Sequence, residues 1–401
     1  MIQEIKNIGH FFETYLWRFW YGRPDVDMYV YGVTGTNGKT TTSYLLTSIL
    51  EHAHGKERVG MLTTVSFRVA GVDEINTSKM TTLPSKKIFA YLSRMKKAGV
   101  KYVVLETTSH ALHQYRLAGI RFDGAIILNI AREHLDYHKT IKKYAAAKEK
   151  IVGLLKPHAP LIGKQGDNAV RAMLDRAEKH GIKVVRMMDE IIAQTITPLA
   201  GSINKENAAA ASLLAWAVGV SDEAIRAGIN EVKFVPGRME MIEAPQGFTV
   251  VIDYAVTPDA LERLYKDMRE KTKGRILGIL GAAGMRDRGK RPDMARAVAK
   301  YADRIIITRE DPWTENEDQI FQDLESGLPL LTKEGLGEVS RVQWQRIPDR
   351  RDAIATLIQD AKPGDIVIVT GKGAERGMGV GKNVIPWNER EVIEELLDEL
   401  H

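Results

Sequence analysis

Short apolar runs alternate with stretches of helical periodicity along most of the chain. A short apolar run between polar or glycine positions predicts a strand, and apolar residues at i, i+3 and i+4 predict an amphipathic helix. The first block has predicted strands at 28–33, 102–106, 124–129 and 160–163, and predicted helices at 42–53, 85–98, 141–155 and 206–218. This alternation is typical of a mostly parallel α/β sheet.

A second α/β block follows Pro236-Gly237-Arg238, which we interpret as a hinge. Its predicted strands lie near 249–253, 275–280, 304–308 and 366–370, with helices that include 292–301 and 389–399. We therefore predict an α/β fold in three parts. These are an aromatic-rich segment at 1–27, a central domain with a phosphate loop and a mostly parallel sheet at 28–236, and a C-terminal Rossmann-like α/β domain at 237–401.

The N-terminal segment is crowded with aromatic side chains and ends at Gly22-Arg23-Pro24. Its large apolar residues are Phe11, Phe12, Tyr15, Leu16, Trp17, Phe19, Trp20 and Tyr21. The simplest interpretation is a helix that packs on the domain behind it. The alternative is contact with a membrane surface or a protein partner, because such a density of aromatic residues rarely stays exposed.

Composition narrows the protein class. Hydrophobic residues are 44% and charged residues 27% of the 401, and no apolar run approaches the roughly 20 residues of a membrane span. The chain has no cysteine and no visible secretory signal, so we expect a cytoplasmic protein. We also expect a monomer. The net charge of +5 suits an anionic substrate such as ATP. Nucleic-acid binding is not predicted, because no basic block with interleaved aromatic residues is present.

Residues 30–42 place a glycine-rich loop between a predicted strand and a predicted helix. Gly35 and Gly38 allow a tight turn that aims backbone N–H groups at phosphates. Lys39 supplies a positive charge for the terminal phosphates, and the Thr40 hydroxyl can bind Mg²⁺. Val33 stands where the strict P-loop pattern has its first glycine. We predict nucleoside triphosphate binding by Gly35, Thr36, Asn37, Gly38, Lys39, Thr40 and Thr41.

Further candidate residues follow the next two predicted strands. Glu106 ends one strand, where a carboxylate beside a phosphate loop is a natural Mg²⁺ ligand. His134 lies in a cluster of two histidines, two acids and an asparagine after the other strand, which predicts a second metal ligand. Lys148 in YAAAKEK has no assigned role from the residues alone, since a lysine on a helix surface is the simplest interpretation.

Together the motifs resemble those of a known enzyme family. In order they are GTNGKTTT, ETTSHAL, NIAREHLDYH, YAAAK, GSINKEN, PGRME, DYAVTPDAL, GMRDRGKRPDMA, GKGAE and PWNEREV. They resemble the Mur ligases, most of all the MurE type that adds the third residue of the peptidoglycan stem peptide. The resemblance runs from about residue 30 to 395. Folylpolyglutamate synthetases share the phosphate loop and the fold, but HLDYH with YAAAK and the DYAVTPDAL turn favour the Mur branch.

The resemblance implies an ATP- and Mg²⁺-dependent amide ligase with small-molecule substrates: ATP, an amino acid and a peptidoglycan-precursor-like acceptor. It implies that Lys39, Glu106, His134 and Lys148 are catalytic, that Thr40, Glu106, His134 and Lys148 hold metal, and that Lys148 is carbamylated. It assigns Asn204, Asn207, Arg238 and Asp253 to the nucleotide. It assigns the substrates to Thr81, Thr82, Thr108, Ser109, Arg116, Arg286, Lys290, Arg291, Asp311, Trp313, Gly371 and Glu375.

The chain departs from the family pattern in four places. Only about 27 residues precede the first strand, where such ligases carry a UDP-binding domain of roughly 80–100 residues. The stretch between Asn168 and Gly201 is short for the family. The DNPR motif reads Glu310-Asp311-Pro312-Trp313, so no arginine is available to clamp the distal carboxylate of diaminopimelate. Finally, KGHE reads KGAE at 372–375, and Val256 replaces the histidine of DYAHTPD.

Three functions follow from these motifs. The first is an ATP-dependent ligase that adds an amino acid, with lysine or a similar basic one favoured, to a UDP-MurNAc-dipeptide-like carboxylate. The second is a Mur-like ligase that acts on another acidic acceptor, such as a polyglutamyl chain or a cyanophycin-like peptide. The third is a non-catalytic nucleotide-binding partner of a cell-wall enzyme. Retention of Lys39, Glu106 and Lys148 with His134 argues against the third.

Overall fold

The computed structural model describes residues 2–329 and 342–400. Two compact units divide the chain. Unit 1 comprises Met1–Ala131 and Tyr137–Lys233, and unit 2 comprises Arg132–Asp136 and Phe234–His401.

Unit 1 is built on a mainly parallel sheet, which has eight strands among the residues described. They are β1 (Tyr29–Thr34), β2 (Val59–Leu62), β3 (Ser66–Val69), β4 (Val72–Ile75), β5 (Tyr102–Glu106), β6 (Gly124–Ile127), β7 (Pro160–Lys164) and β8 (Lys183–Met187). Their order is β4-β3-β2-β5-β1-β6-β7-β8, with β3 and β4 antiparallel. β1 pairs with β5 on one side and β6 on the other, so the loop that follows β1 leaves the middle of the sheet.

The helices of unit 1 lie before, between and after these strands. They are α1 (Ile2–Trp20), α2 (Lys39–His54), α3 (Ser85–Lys97), α4 (Ser109–His113), α5 (Leu135–His138), α6 (Ile141–Glu149), α7 (Asn168–Lys179), α8 (Asp189–Gln194), α9 (Ser202–Ala217) and α10 (Asp222–Glu231). Side-chain caps fix several of the helix starts: Thr108 accepts from Ala111 N at α4, and Thr140 accepts from Lys143 N at α6. These caps set the directions in which the polar residues of α4 and α6 project.

The core of unit 1 explains the apolar runs in the sequence. β1 and β5 are buried along nearly their whole length, and Val30 and Val103 are fully covered. Parallel strands with both faces covered are expected to read as near-continuous apolar runs. Phe89 of α3 and Phe122 before β6 complete this core, so the central strands hold their ends in fixed positions.

The helix predicted at 141–155 is shorter in the structure. α6 ends at Glu149, and a 3₁₀ turn at Val152–Leu154 follows it. Ile151 N already bonds to Lys148 O, which marks the tighter turn. Gly153, a poor helix former, lies within that turn.

Unit 2 contains a second sheet, with six strands among the residues described. Its strands are β9 (Glu240–Glu243), β10 (Thr249–Asp253), β11 (Ile276–Leu280), β12 (Arg304–Ile307), β13 (Gln343–Arg346) and β14 (Ile366–Thr370), in the order β13-β12-β11-β14-β10-β9. β9 alone of these six is antiparallel to its neighbour, and β15 (Gly377–Val380) and β16 (Asn383–Pro386) form a separate hairpin. The helices are α11 (Pro258–Lys271), α12 (Arg291–Ala299), α13 (Glu317–Glu325), α14 (Arg350–Asp360) and α15 (Glu389–Asp398).

Apolar layers cover both faces of the second sheet. Val251 and Ile305 belong to one cluster, and Ile252 and Ile306 belong to the other. The parallel sheet of each unit, with helices packed on it, confirms the predicted α/β fold class. None of the described helices combines the length and the apolar character needed to cross a bilayer.

Candidate active site

The phosphate loop of unit 1 runs from Gly35 at the end of β1 to Lys39, where α2 begins. Gly38 has a φ of 85°, in the left-handed region, and a Cβ there would collide with Asn207 Oδ1. Glycine is therefore required at this position for two independent reasons. Lys39 Nζ donates to Thr36 O at 2.8 Å, which keeps its ammonium group beside the loop.

An asparagine that follows β6 clamps this loop. Asn37 N donates to Asn129 Oδ1 at 2.8 Å, and Asn129 Nδ2 donates back to Asn37 O at 3.1 Å. Thr36 N donates to the backbone oxygen of Asn129 at 2.9 Å. Asn129 was visible in the sequence only as one member of a polar cluster, and the structure shows that it supports the loop.

Glu106 ends β5, directly beside β1, and its carboxylate lies next to the start of α2. Thr40 Oγ1 is 3.1 Å from both oxygens of Glu106. Thr64 also donates to this carboxylate, with its backbone N at 2.9 Å and its hydroxyl at 3.0 Å. Glu106 is 2% exposed, and among the described residues it makes no ion pair. A buried carboxylate held only by neutral donors is suited to binding a cation.

Lys148 projects from α6 toward the start of the same loop. Its Nζ donates to Gly35 O at 2.6 Å and lies 4.8 Å from the centre of the Tyr144 ring. The side chain is buried, and the Tyr144 hydroxyl is 3.1 Å from Thr36 Oγ1. The structure thus brings Lys148 to the phosphate loop, whereas a lysine on a helix surface would point to solvent.

The predicted acceptor residues form a polar strip beside Glu106. Thr81 Oγ1 lies 2.9 Å from Thr64 Oγ1, and Thr82 Oγ1 donates to Glu106 O and accepts from Thr108 N. Arg116 donates to Thr82 O at 2.8 Å. Burial lowers the pKa of Arg116, and the guanidinium has no carboxylate partner among the described residues. Its Nε and Nη2 donate to Gln114 Oε1 at 3.0 and 2.6 Å, so neutral acceptors hold the guanidinium, and a carboxylate ligand would be a stronger acceptor than this amide.

Ser109 begins α4 and is buried against His138. The hydroxyl of Ser109 lies 3.1 Å from His138 Nε2. Burial, with smaller contributions from His113 and Lys148, lowers the pKa of His138 to about 4. The His138 ring is therefore neutral at pH 7 and adds no charge beside Ser109.

Two asparagines on α9 lie behind the loop. Asn207 Nδ2 donates to Asn204 Oδ1 at 3.1 Å, and Asn207 Oδ1 accepts from Thr42 at 3.3 Å. Both side chains are buried. The contact with Gly38 makes Asn207 part of the wall of the phosphate loop.

His134 belongs to the short segment that clusters with unit 2. Its backbone φ is +55°, a left-handed conformation that costs a non-glycine residue about 1–3 kcal/mol and is concentrated at functional sites. In the same segment, Glu133 Oε1 accepts from Lys290 Nζ at 3.0 Å. Lys290 is thus held by an ion pair within unit 2.

Two predicted nucleotide contacts of unit 2 meet at the end of β10. Asp253 accepts from the backbone N of Met239 and of Ala255, each at 2.7 Å. Burial raises the pKa of Asp253, and the nearby Arg238 opposes that shift. The guanidinium carbon of Arg238 lies 4.3 Å from the centre of the Tyr254 ring. Arg238 therefore lies over an aromatic ring at a distance typical of a cation–π contact.

A buried cluster of charges lies at the end of β14. Lys372 is fully buried, and its Nζ donates to Asp311 Oδ1 at 2.8 Å and to Glu375 Oε2 at 2.5 Å. Glu310 lies in the same cluster, where burial, reinforced by Asp311, raises its pKa to about 7. Its Oε2 has no hydrogen-bond partner in the described part of the chain. A Cβ on Gly371 would lie 2.8 Å from that oxygen, so the backbone approaches the carboxylate closely.

Trp313 closes one side of this cluster through the hairpin β15–β16. Its backbone N donates to Gly379 O at 3.0 Å, and its ring lies so close to Gly379 that a Cβ there would be 2.5 Å from it. Arg309, two residues from Asp311, is held by Glu317 through bonds of 2.5 and 2.9 Å. It is therefore occupied and does not replace the missing arginine of the DNPR motif.

The remaining predicted residues lie near α12. Arg291, at the start of α12, is 1% exposed and forms ion pairs with Glu315 and Asp323. These ion pairs hold the loop that precedes α12. Arg286 is exposed and makes no ion pair with a described residue, which leaves its guanidinium available.

Together the fold and the loop define an α/β protein that binds a nucleoside triphosphate. A family model described as "Mur ligase middle domain" matches residues 33–197, and one described as "Mur ligase, glutamate ligase domain" matches residues 237–373. The UDP-N-acetylmuramyl-tripeptide synthetase of Roseiflexus sp. (strain RS-1) is 36% identical, with 95% of this chain and 80% of that protein covered. The chain belongs to the Mur ligase family and is an ATP-dependent acid–amino-acid ligase, as its motifs predicted.

Further relatives support the assignment to the Mur ligase family. A UDP-N-acetylmuramoyl-L-alanyl-D-glutamate–2,6-diaminopimelate ligase of Geobacillus kaustophilus (strain HTA426) is 35% identical over 93% of this chain and 79% of its own. A solved structure of a ligase with that same name has a TM-score of 0.59 at 28% identity, covering 93% of this chain and 79% of its own. E. coli FolC in complex with ADP has a TM-score of 0.65 at 23% identity, with 86% of each chain covered, which shows a shared fold.

Proposed function

We propose that this ligase adds an amino acid to the carboxylate of a UDP-MurNAc-dipeptide-like acceptor, through an acyl phosphate, in peptidoglycan-precursor synthesis. We further propose that it acts in the cytoplasm as a monomer. The names of the relatives support the reaction class. The observation that carries the proposal is Glu106, a buried carboxylate without a cationic partner among the described residues, bonded to the hydroxyl of Thr40 in the phosphate loop.

Mg²⁺ fits this pair of residues, because carboxylate and hydroxyl oxygens are the hard ligands that it prefers. Thr40 and Glu106 would hold one ion, and His134 and Lys148 are proposed on the family resemblance as ligands of a second. When bound, such ions neutralise charge on the transferring phosphoryl group. The pair is preformed, since the Thr40 hydroxyl is already directed at the carboxylate.

The loop and the start of α2 would stabilise the phosphoryl transfer. The acceptor carboxylate attacks the γ-phosphorus of ATP, the bond to the β,γ-bridging oxygen breaks, and an acyl phosphate and ADP form. Charge spreads over the phosphoryl oxygens, and Lys39, together with backbone N–H groups at the helix start, is positioned to stabilise it. The amine then attacks the acyl carbon, and inorganic phosphate leaves.

Lys148 would act as a carbamate. Its ammonium group loses one proton to become an amine, and the amine adds to CO₂ with loss of a second proton, which converts a cation into an anion that can bind metal. The Nζ lies 2.6 Å from Gly35 O, and the one N–H that a carbamate keeps can retain this hydrogen bond while the new carboxylate oxygens bind metal. Its position, buried beside the phosphate loop, supports this role.

Arg116 is proposed to hold the acceptor. Its guanidinium lies within the polar strip that leads to Glu106, through Thr82. The peptide acceptor carries carboxylates, and a half-buried arginine without an acidic partner among the described residues provides a charge-assisted contact for one of them.

The cluster around Lys372 is proposed to select the incoming amino acid. Glu310, Asp311 and Glu375 gather around Lys372, and one oxygen of Glu310 lacks a hydrogen-bond donor among the described residues. Such a cluster favours a ligand that brings a second ammonium group over one that brings a second carboxylate. Trp313 adds an apolar wall that suits an aliphatic stem. Lysine or a similar basic amino acid is therefore the proposed substrate.

A phosphate-release screen tests the reaction. The enzyme, ATP and Mg²⁺ are incubated with UDP-muramoyl dipeptide or its nucleotide-free analogue, each with a panel of amino acids. Phosphate release that requires both acceptor and amino acid supports the proposal, and mass spectrometry identifies the product. Release with a polyglutamyl acceptor alone would instead support the second candidate function. No release with any acceptor would contradict the proposal.

A further inference from the structure

Polar side chains of helix α1 face the rest of unit 1. Thr14 is fully buried, with its Oγ1 2.6 Å from Ser85 Oγ and 3.0 Å from Tyr115 O. Arg18 donates to both oxygens of Asp25, with Nη2 at 2.9 Å. These polar contacts hold the helix, together with Trp17 and Tyr21, which pack against the core of unit 1, and a second set of apolar side chains on the helix is left uncovered.

The apolar side of α1 is exposed. We define the outer face of α1 as Ile8, Phe12, Leu16, Phe19 and Trp20, which are 57%, 67%, 59%, 78% and 73% exposed. Their spacing of three or four residues places them in one stripe, opposite the buried Thr14. A continuous stripe of large apolar side chains on a folded surface marks a contact with another apolar phase or partner.

Cations lie on both flanks of the helix. Lys86 Nζ lies 4.7 Å from the centre of the Trp17 ring on one flank. On the other flank, Lys150 Nζ lies 4.3 Å from the centre of the Tyr115 ring, which in turn contacts Phe11 at 5.7 Å. Further exposed cations lie on α1, on α3 and in the turn after α1: Lys6, Arg23, Lys87 and Lys97. The acidic residue Glu13 on α1 contacts His10 and Trp17.

We propose that the outer face of α1 binds the surface of an anionic lipid bilayer. A helix that lies in the interface buries apolar and aromatic side chains among acyl chains, while flanking lysines contact anionic head groups. Trp20 on the outer face and Tyr15 beside it are the residue types that concentrate at this boundary. A symmetric pairing of two copies is less well matched, because it would bring the cationic flanks of two helices together.

Vesicle co-sedimentation tests the proposal with the full chain and without ATP, so its result is independent of the ligase assay. We expect the protein to pellet with phosphatidylglycerol-containing vesicles, and more weakly with phosphatidylcholine alone or at high salt. Phe12→Ser with Leu16→Ser should weaken binding by roughly tenfold or more. Lys86→Gln with Lys87→Gln should weaken binding to the anionic vesicles only.

Trp216→Ser is the matched control, because Trp216 is also an exposed aromatic residue on a helix of unit 1, at 60%. It should bind vesicles like the wild type. Wild type that stays in the supernatant would overturn the proposal. An outer-face variant that pellets as well as the wild type would also overturn it. A wild-type dimer that the same substitutions dissociate, together with no vesicle binding, would show instead that the face pairs two copies of the chain. Equal thermal midpoints would show that the variants are folded.

Discussion

Thr40 donates its hydroxyl to the carboxylate of Glu106 with equal distances of 3.1 Å to the two oxygens. The two residues come from different elements, the first turn of α2 and the last position of β5. The parallel pairing of β1 with β5 brings them together, since Val33 and Glu106 are register partners. The site of unit 1 is thus a product of strand order more than of any single motif.

Lys39→Ala should nearly abolish ATP-dependent ligation. The lysine is held beside the phosphate loop, and one charge contact to the transferring phosphoryl group is worth roughly 3–4 kcal/mol. The measurement is the steady-state rate of phosphate release with saturating substrates. Lys87→Ala, at an exposed lysine on α3, is the control and should retain the wild-type rate. Turnover close to wild type in Lys39→Ala would refute the assignment.

Lys148→Ala should lose activity and regain part of it when acetate or another small carboxylate is added. The alanine leaves space at the loop, and a free carboxylate could occupy the position proposed for the carbamate. The measurement is phosphate release with increasing acetate, with Lys150→Ala as the neighbouring control. A fully active Lys148→Ala enzyme would exclude this lysine from the site.

Gly38→Ala should destabilise the protein more than Gly99→Ala. Both glycines have a φ of 85°, so each alanine costs about 1 kcal/mol of backbone strain. Only at position 38 does the new Cβ meet the buried Asn207, whereas Gly99 has nothing within 4 Å. We expect a further loss of roughly 1–3 kcal/mol, read from the denaturant midpoint, and weaker ATP binding. Equal losses at the two positions would show that Asn207 moves aside without cost.

Glu310 should make stability depend on pH near neutrality. Its pKa in the folded protein is about 7, above the ordinary value of 4.5, so the folded state binds more protons than the unfolded state between those values. Stability should therefore fall as pH rises from about 4.5 to 7, by roughly 3 kcal/mol from this group alone. The urea midpoint measured across that range in wild type and Glu310→Gln isolates the effect. An identical pH profile for the two proteins would contradict the assigned pKa.

The wild-type enzyme should prefer lysine to meso-diaminopimelate. A buried carboxylate without its bidentate arginine costs roughly 2–5 kcal/mol, and Arg309 is already held by Glu317. The measurement is kcat/KM for the two amino acids with one acceptor and saturating ATP. Trp313→Arg should shift the ratio toward diaminopimelate. A clear wild-type preference for diaminopimelate would mean that another cation, with exposed Arg286 the first candidate, takes the place of the arginine.

The sequence predicted the central parallel strands well because buried strands are continuous apolar runs. The strands 102–106, 249–253 and 366–370 were predicted with the bounds that the structure gives to β5, β10 and β14. The edge strands β4, β8, β9 and β13 were not predicted, and neither was β2, a fully buried strand of four residues beside β5. β4 is mostly exposed and β13 is half-buried, so neither shows a clear apolar pattern.

The residues of the candidate site also fall into those that the sequence could predict and those that it could not. Lys39 and Glu106 follow from a motif and from a strand end, which are local signals. The supporting contacts of Thr64 and Asn129 depend on pairings between distant segments, and no local pattern shows them. Helix α1 was predicted from its aromatic density, but which of its apolar residues face outward becomes visible only once the contacts of Thr14 and Trp17 are known.

The clamp of Asn129 on Asn37 bears on how ATP binds. Two side-chain hydrogen bonds, with a third from the backbone of Thr36, tie the loop to the end of β6 by contacts within the protein itself. The conformational entropy of ordering the loop is therefore lost when the chain folds rather than when the nucleotide arrives. The phosphates of ATP then bind a preorganised loop. More of their interaction free energy contributes to affinity than if binding also had to order the loop.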